Sequence, residues 1–173
     1  MIFMSQSGLT DSSHDRDWDC WYFEHLTIMV TVAGISSAQR FKTDTPGYSP
    51  SLAMYTVASA DVFQDPYYLR VRGMGQWQSL IDPQYYKRNL LDGLKLAPEV
   101  SAGDVLLVAD RDAPEAGLAG IEWSWLVSAG IDRSTPYRGI AMVHAASGEP
   151  LCNLRDIAVY EPASSCHRPP KRS

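Results

Sequence analysis

The sequence predicts an α+β fold, and three observations carry that prediction. A run with helical periodicity, Trp18 to Val32, stops at Gly34. Short β-rich runs flank it, and the clearest of all is Asp104-Val-Leu-Leu-Val-Ala109. The order strand, helix, Gly-Ile, strand, strand then occurs twice along the chain.

Residues 1–7 read as a first strand, and 8–16 as a polar loop in which Ser13 or Asp15 caps the next helix. In that helix Trp18, Trp21, Tyr22, His25, Ile28, Met29 and Val32 recur every three or four positions and form one apolar face. Gly34 supplies a left-handed stop. Residues 37–42 and 51–57 read as a strand pair joined by a loop containing Pro46, Gly47 and Pro50. Ser59 caps a further helix through Val62, Phe63, Tyr67, Tyr68 and Val71, with Pro66 inside it as a break or kink. Asp82-Pro83 reads as a cap with proline at the first helical position, and residues 88–96 as helix end or strand. After a linker at 98–103, residues 104–109 are a strand, 114–130 a helix, 137–145 a strand, 147–150 a turn and 154–160 a last strand. Residues 163–173 read as a disordered tail.

The repeat aligns residues 1–59 with 104–164 through Ala33-Gly34-Ile35 and Ala129-Gly130-Ile131, and through Leu52-Ala-Met-Tyr55 and Ile157-Ala-Val-Tyr160. In that alignment Ile121 stands where His25 does. The expected organisation is a first unit over 1–97, an incomplete second unit over 104–162, and the tail.

Composition narrows the classes of function. The net charge is -5 and there is no basic stripe, which argues against nucleic acid as partner. No stretch has the length of apolar residues that a membrane span needs, and the start lacks the basic-then-apolar pattern of a leader. The cysteines Cys20, Cys152 and Cys166 have no Cys-x-x-Cys pairing, which fits reduced thiols and a cytoplasmic location. The four histidines show no metal-ligand spacing, so no metal is expected. Gly73-Met-Gly75 lacks the strand and helix context of a nucleotide fingerprint, and no cofactor is expected.

Trp21-Tyr-Phe-Glu-His25, followed by Gly34-Ile-Ser-Ser-Ala-Gln-Arg40-Phe41, resembles the helix and strand of EthD-like proteins in the dimeric α/β-barrel superfamily. The later Asp65-Pro-Tyr67 is similar to that group's Ser-Pro-x-Tyr stretch, and the family's proline before Gly34 is Ala33 here. The resemblance implies ferredoxin-like βαββ(αβ) units whose antiparallel sheets pair as a barrel, either in tandem within the chain or between two chains as a homodimer. It also implies cofactor-independent proton-transfer chemistry of monooxygenase, isomerase, cyclase or decarboxylase type on an apolar, aromatic or polyketide-like compound.

The candidate residues follow from this helix. His25 is a proton carrier near neutral pH, or else a core histidine bonded to backbone or carboxylate. Tyr22, three residues earlier, orients a substrate carbonyl or packs. Arg40, on the following strand, pairs a substrate carboxylate or enolate, or bridges to Glu24. Trp18, Trp21 and Tyr55 are expected to wall the same pocket, although the match of Tyr55 to Tyr160 in the repeat also suits packing. Three classes of function stay open: an enzyme, a non-catalytic small-molecule binder, and an assembly protein.

Overall fold

The computed structural model describes residues 1–146 and 155–170. Its eight strands are β1 (Ile2–Ser7), β2 (Ile35–Lys42), β3 (Ser51–Val57), β4 (Lys87–Asp92), β5 (Asp104–Arg111), β6 (Ser124–Ile131), β7 (Tyr137–His144) and β8 (Ala158–Pro162). They close in the order β1-β3-β2-β8-β5-β7-β6-β4. Every neighbouring pair is antiparallel. Among the described residues two α-helices accompany them, α1 (Asp15–Met29) and the short α2 (Pro66–Val71).

This overturns the expected architecture of ferredoxin-like α/β units. The molecule is one closed antiparallel barrel, and closure is complete within a single chain. The expected helix over 114–130 does not form. Gly117, Ala119 and Gly120 all take positive φ there, and Ser124–Ile131 becomes β6. Pro114 and two glycines are poor helix residues, and Trp123, Trp125 and Val127 alternate as strand residues do. The repeat alignment also shifts. Ala33-Gly34-Ile35 leads into β2, whereas Ala129-Gly130-Ile131 ends β6. Leu52 to Tyr55 lies in β3 and Ala158 to Tyr160 in β8, which hold different places in the strand order. The correspondence that exists is between β4-β1-β3-β2 and β8-β5-β7-β6, so β3 answers to β7.

Local chemistry sets the remaining boundaries. Gly34 has φ 86°, and a Cβ there would sit 2.6 Å from Val62 Cγ2, so both conformation and space demand glycine. Ser59 caps only a 3-10 turn, Ala60–Gln64. Asp65 then caps α2, with Oδ1 accepting from the Tyr67 and Tyr68 amides at 2.8 and 2.9 Å. Pro66 starts that helix instead of breaking the one before it. Asp82-Pro83 forms a turn and no helix, and Lys87–Asp92 settles the ambiguous segment as strand. The turn expected at 147–150 lies outside the described residues, as do tail residues 171–173. Residues 163–170 are not loose. Ala38 and His167 exchange backbone hydrogen bonds at 3.0 and 2.7 Å, continuing the short β2–β8 seam.

Three apolar layers result. Ile2, Met4, Phe41, Leu52, Met54, Leu106, Leu126 and Tyr160 fill the barrel. The face opposite, on β1 to β4, packs Phe3, Ala38, Tyr55 and Leu90 against α1 and its neighbours. On β5 and β7 the outer face is covered by a loop instead. Trp123 Nε1 donates to Leu118 O at 3.0 Å and Trp125 Nε1 to Glu115 O at 3.2 Å. Gly139 makes room for both rings, since a Cβ there would meet each at 2.9 Å.

One buried charge sits inside the barrel. Arg138, fully buried, donates to both Asp110 carboxylate oxygens at 2.7 and 2.8 Å, and to Met4 Sδ at 3.6 Å. Asp110→Ala strands that guanidinium and is expected to cost about 3 kcal/mol in urea unfolding, whereas the double change Asp110→Leu with Arg138→Met costs far less. Equal losses in the two variants would show that the pair holds no buried charge in check.

Candidate functional site

The buried face of α1 is Trp18, Tyr22, Leu26 and Met29. This differs from the sequence stripe by a rotation: Leu26 is fully buried, Ile28 is 43% exposed, and Trp21 and His25 lie half-buried at the edge. That edge opens onto a cavity of about 360 Å³ between α1, α2 and the outer face of β1, β3 and β4. Phe3, Tyr22, His25, Met29, Tyr55 and Tyr68 form much of its wall, and Arg72, Arg88, Tyr86, Ser5 and Gln78 add polar groups.

His25 is placed by its neighbours. Its ring stacks on Trp21 with centroids 4.8 Å apart and planes 12° apart, and meets the edge of Tyr22 at 6.0 Å. Neither ring nitrogen has a hydrogen-bond partner among the described residues. Burial lowers its pKa from 6.5 to about 4. The imidazole is therefore neutral at pH 7 and presents a lone pair.

The tyrosines hold the opposite role. Burial raises the Tyr22 pKa despite the nearby Arg40, and raises Tyr55 well above its usual value. Tyr68 is raised by burial as well, against the pull of Arg72 and Arg88. These phenols remain protonated donors at neutral pH.

Of the residues predicted from sequence, His25, Tyr22 and Tyr55 line this cavity together, and Trp21 backs the histidine. Trp18 lies in the core beneath and Arg40 stands apart from the cavity. The Arg40 guanidinium sits over the rings of Trp18 and Tyr22, 4.7 and 4.2 Å from their centroids. It donates to Asp19 Oδ1 at 2.8 Å and to Ser51 Oγ at 3.0 Å, and Glu24 takes no part. Arg40 thus positions the helix and does not reach the cavity. Sequence reading missed Arg72, Arg88, Tyr68 and Tyr86. They come from α2 and its cap and from β4 and the residue before it, which have no short-range spacing to α1; the packing of α2 on α1 and the pairing of β4 with β1 bring them in.

No group of three or more His, Cys, Asp or Glu side chains is placed to hold a metal among the described residues. No described helix is long and apolar enough to cross a membrane. No protein-family model matches the chain, and no curated protein shows significant similarity to it.

The lowered pKa of His25 has a thermodynamic consequence. Between pH 6.5 and about 4 the unfolded chain binds a proton that the folded chain refuses. The contribution of His25 is therefore complete above pH 6.5 and is lost as pH falls through the window, by up to about 3 kcal/mol. Urea unfolding at pH 7.5 and pH 4.5 is expected to show this loss in the native chain and not in His25→Leu. The difference between the two proteins isolates His25 from other titrating groups.

Proposed function

We propose that the cavity beside α1 binds a small apolar, aromatic or polyketide-like compound, and that His25 transfers a proton to and from it without a cofactor. The observation that carries this reading is the neutral imidazole lining a cavity among protonated tyrosines. A base with a pKa of about 4 is wholly unprotonated at neutral pH. Its conjugate acid, once formed, gives the proton back readily. Tyr22 and Tyr55 offer hydroxyls to a carbonyl or enolate oxygen, and Trp21 fixes the ring plane. The likeness of residues 21–25 to the EthD-like helix supports the same reading.

A second reading is a binding protein without chemistry. It is favoured by one feature: no hydrogen bond from the described residues orients the His25 ring, whereas catalytic bases are commonly held by a third group.

Carbon-bound hydrogens next to a carbonyl separate the two readings. With 2-tetralone and related aromatic ketones in D2O, the protein is expected to accelerate deuterium exchange at those carbons. His25→Ala should lower the rate by about a hundredfold or more while ketone binding persists. Binding with exchange at the solvent rate in both proteins would leave the non-catalytic reading.

A further inference from the structure

We infer that the ligand of this cavity is an organic acid, a flat apolar body bearing a carboxylate, whose anion is held by Arg72 and Arg88. This rests on the reading of the cavity as a small-molecule site and names the class of molecule it takes.

The charges around the cavity are one-sided. Among the described residues, two arginines line it and no aspartate or glutamate does. That runs against the composition of the chain, which has 20 acidic and 15 basic residues. Both arginines act electrostatically on Tyr68, in the cavity wall, so their charges converge on one region.

Each has unused binding capacity. Arg72 ends α2, where its backbone amide donates to Tyr68 O at 2.9 Å. Its side chain is exposed and has no carboxylate or hydrogen-bond partner among the described residues. Arg88 is held on one side, with Nη2 3.2 Å from Asp132 Oδ1 and its guanidinium over the Tyr86 ring at 5.4 Å. Its Nε is sealed from solvent and has no partner among the described residues. The Arg88 side chain also lines the cavity, where a guanidinium can pair a carboxylate through its remaining N–H groups. Asp132 neutralises part of the Arg88 charge, which leaves Arg72 as the uncompensated cation.

The apolar remainder of the wall fits the body of such a molecule. Phe3 stacks on Tyr55 with centroids 5.5 Å apart, and Met29 completes the surface between them and His25. A ligand anchored by its anion at the arginines thus lays its rings along this wall toward the imidazole.

The test compares 2-naphthoate with its neutral counterpart 2-naphthamide by isothermal titration, at low and at raised salt. The native chain should bind the acid about tenfold or more tightly than the amide, with the preference shrinking as salt rises. Arg72→Gln and Arg88→Gln should weaken the acid and spare the amide. Arg72→Gln breaks no side-chain hydrogen bond or ion pair among the described residues, so it stays informative if Arg88→Gln folds poorly after losing Asp132; Arg88→Lys then keeps the charge there. Acid and amide bound equally, or an acid preference untouched by Arg72→Gln and Arg88→Gln, would overturn the anion site and leave the cavity reading standing. Binding of neither probe would overturn both.

Discussion

The placement of α1 on the sheet depends on one guanidinium. Arg40 is 3% exposed and lies between the rings of Trp18 and Tyr22, with Asp19 on the helix and Ser51 on β3 as its hydrogen-bond partners. Each cation–ring contact in a dry setting contributes roughly 0.5–2 kcal/mol. The Asp19 link is half open to water and contributes less than its short distance suggests. Geometry matters more than its total strength here. The guanidinium fixes the height and rotation of α1 at Tyr22, so His25, three residues on, faces the cavity edge instead of the core. One buried nitrogen, Arg40 Nη2, has no partner, a cost accepted by a residue that stitches three elements together.

The two halves of the barrel are covered differently, and the site follows from that difference. Over β5 and β7 a loop lies flat, pinned by Trp123 and Trp125 against the glycine-sized gap at Gly139. Over β1, β3 and β4 the cover is a helix. A cylinder on a twisted sheet touches closely along one line and diverges to either side. On the diverging side α2 and the segment after it complete an enclosure without filling it. The same strand arrangement therefore carries a loop cover on one half and a chamber beside a helix on the other.

Much of the first half was legible because its signals are local. The period of α1, the glycine demanded at 34, and the strand pair after it are read from neighbours in sequence. The second half misled for a physical reason. Trp123, Leu126 and Val127 match helical spacing over so short a window, and the signals against a helix were Pro114, Gly117 and Gly120 together with the alternation of Trp123, Trp125 and Val127. Residue patterns alone did not show barrel closure, which depends on β4 meeting β6 and β2 meeting β8 across long stretches of chain; a barrel was expected only from the family resemblance, and there as paired ferredoxin-like sheets. The site divided the same way. His25, Tyr22 and Tyr55 were read from α1 and β3, whereas Arg72 and Arg88 enter only through the tertiary fold. Arg40 was visible but misassigned, because no sequence spacing tells an arginine facing a ligand from one facing two aromatic rings.

Under the proposed function, the arginines and the histidine would be coupled through the charge of the ligand. Burial alone keeps His25 at a pKa of about 4, because nothing nearby repays the desolvation of an imidazolium. A carboxylate seated at Arg72 and Arg88 brings a negative charge into the same enclosure, and such a charge favours the protonated ring. Burial leaves a neutral base, and under the proposed function a bound carboxylate would move that base toward the pH at which it exchanges protons most effectively. Under the proposed function, the ligand's own charge would tune the group that acts on it. A neutral ligand of the same shape would meet the imidazole at its weakest.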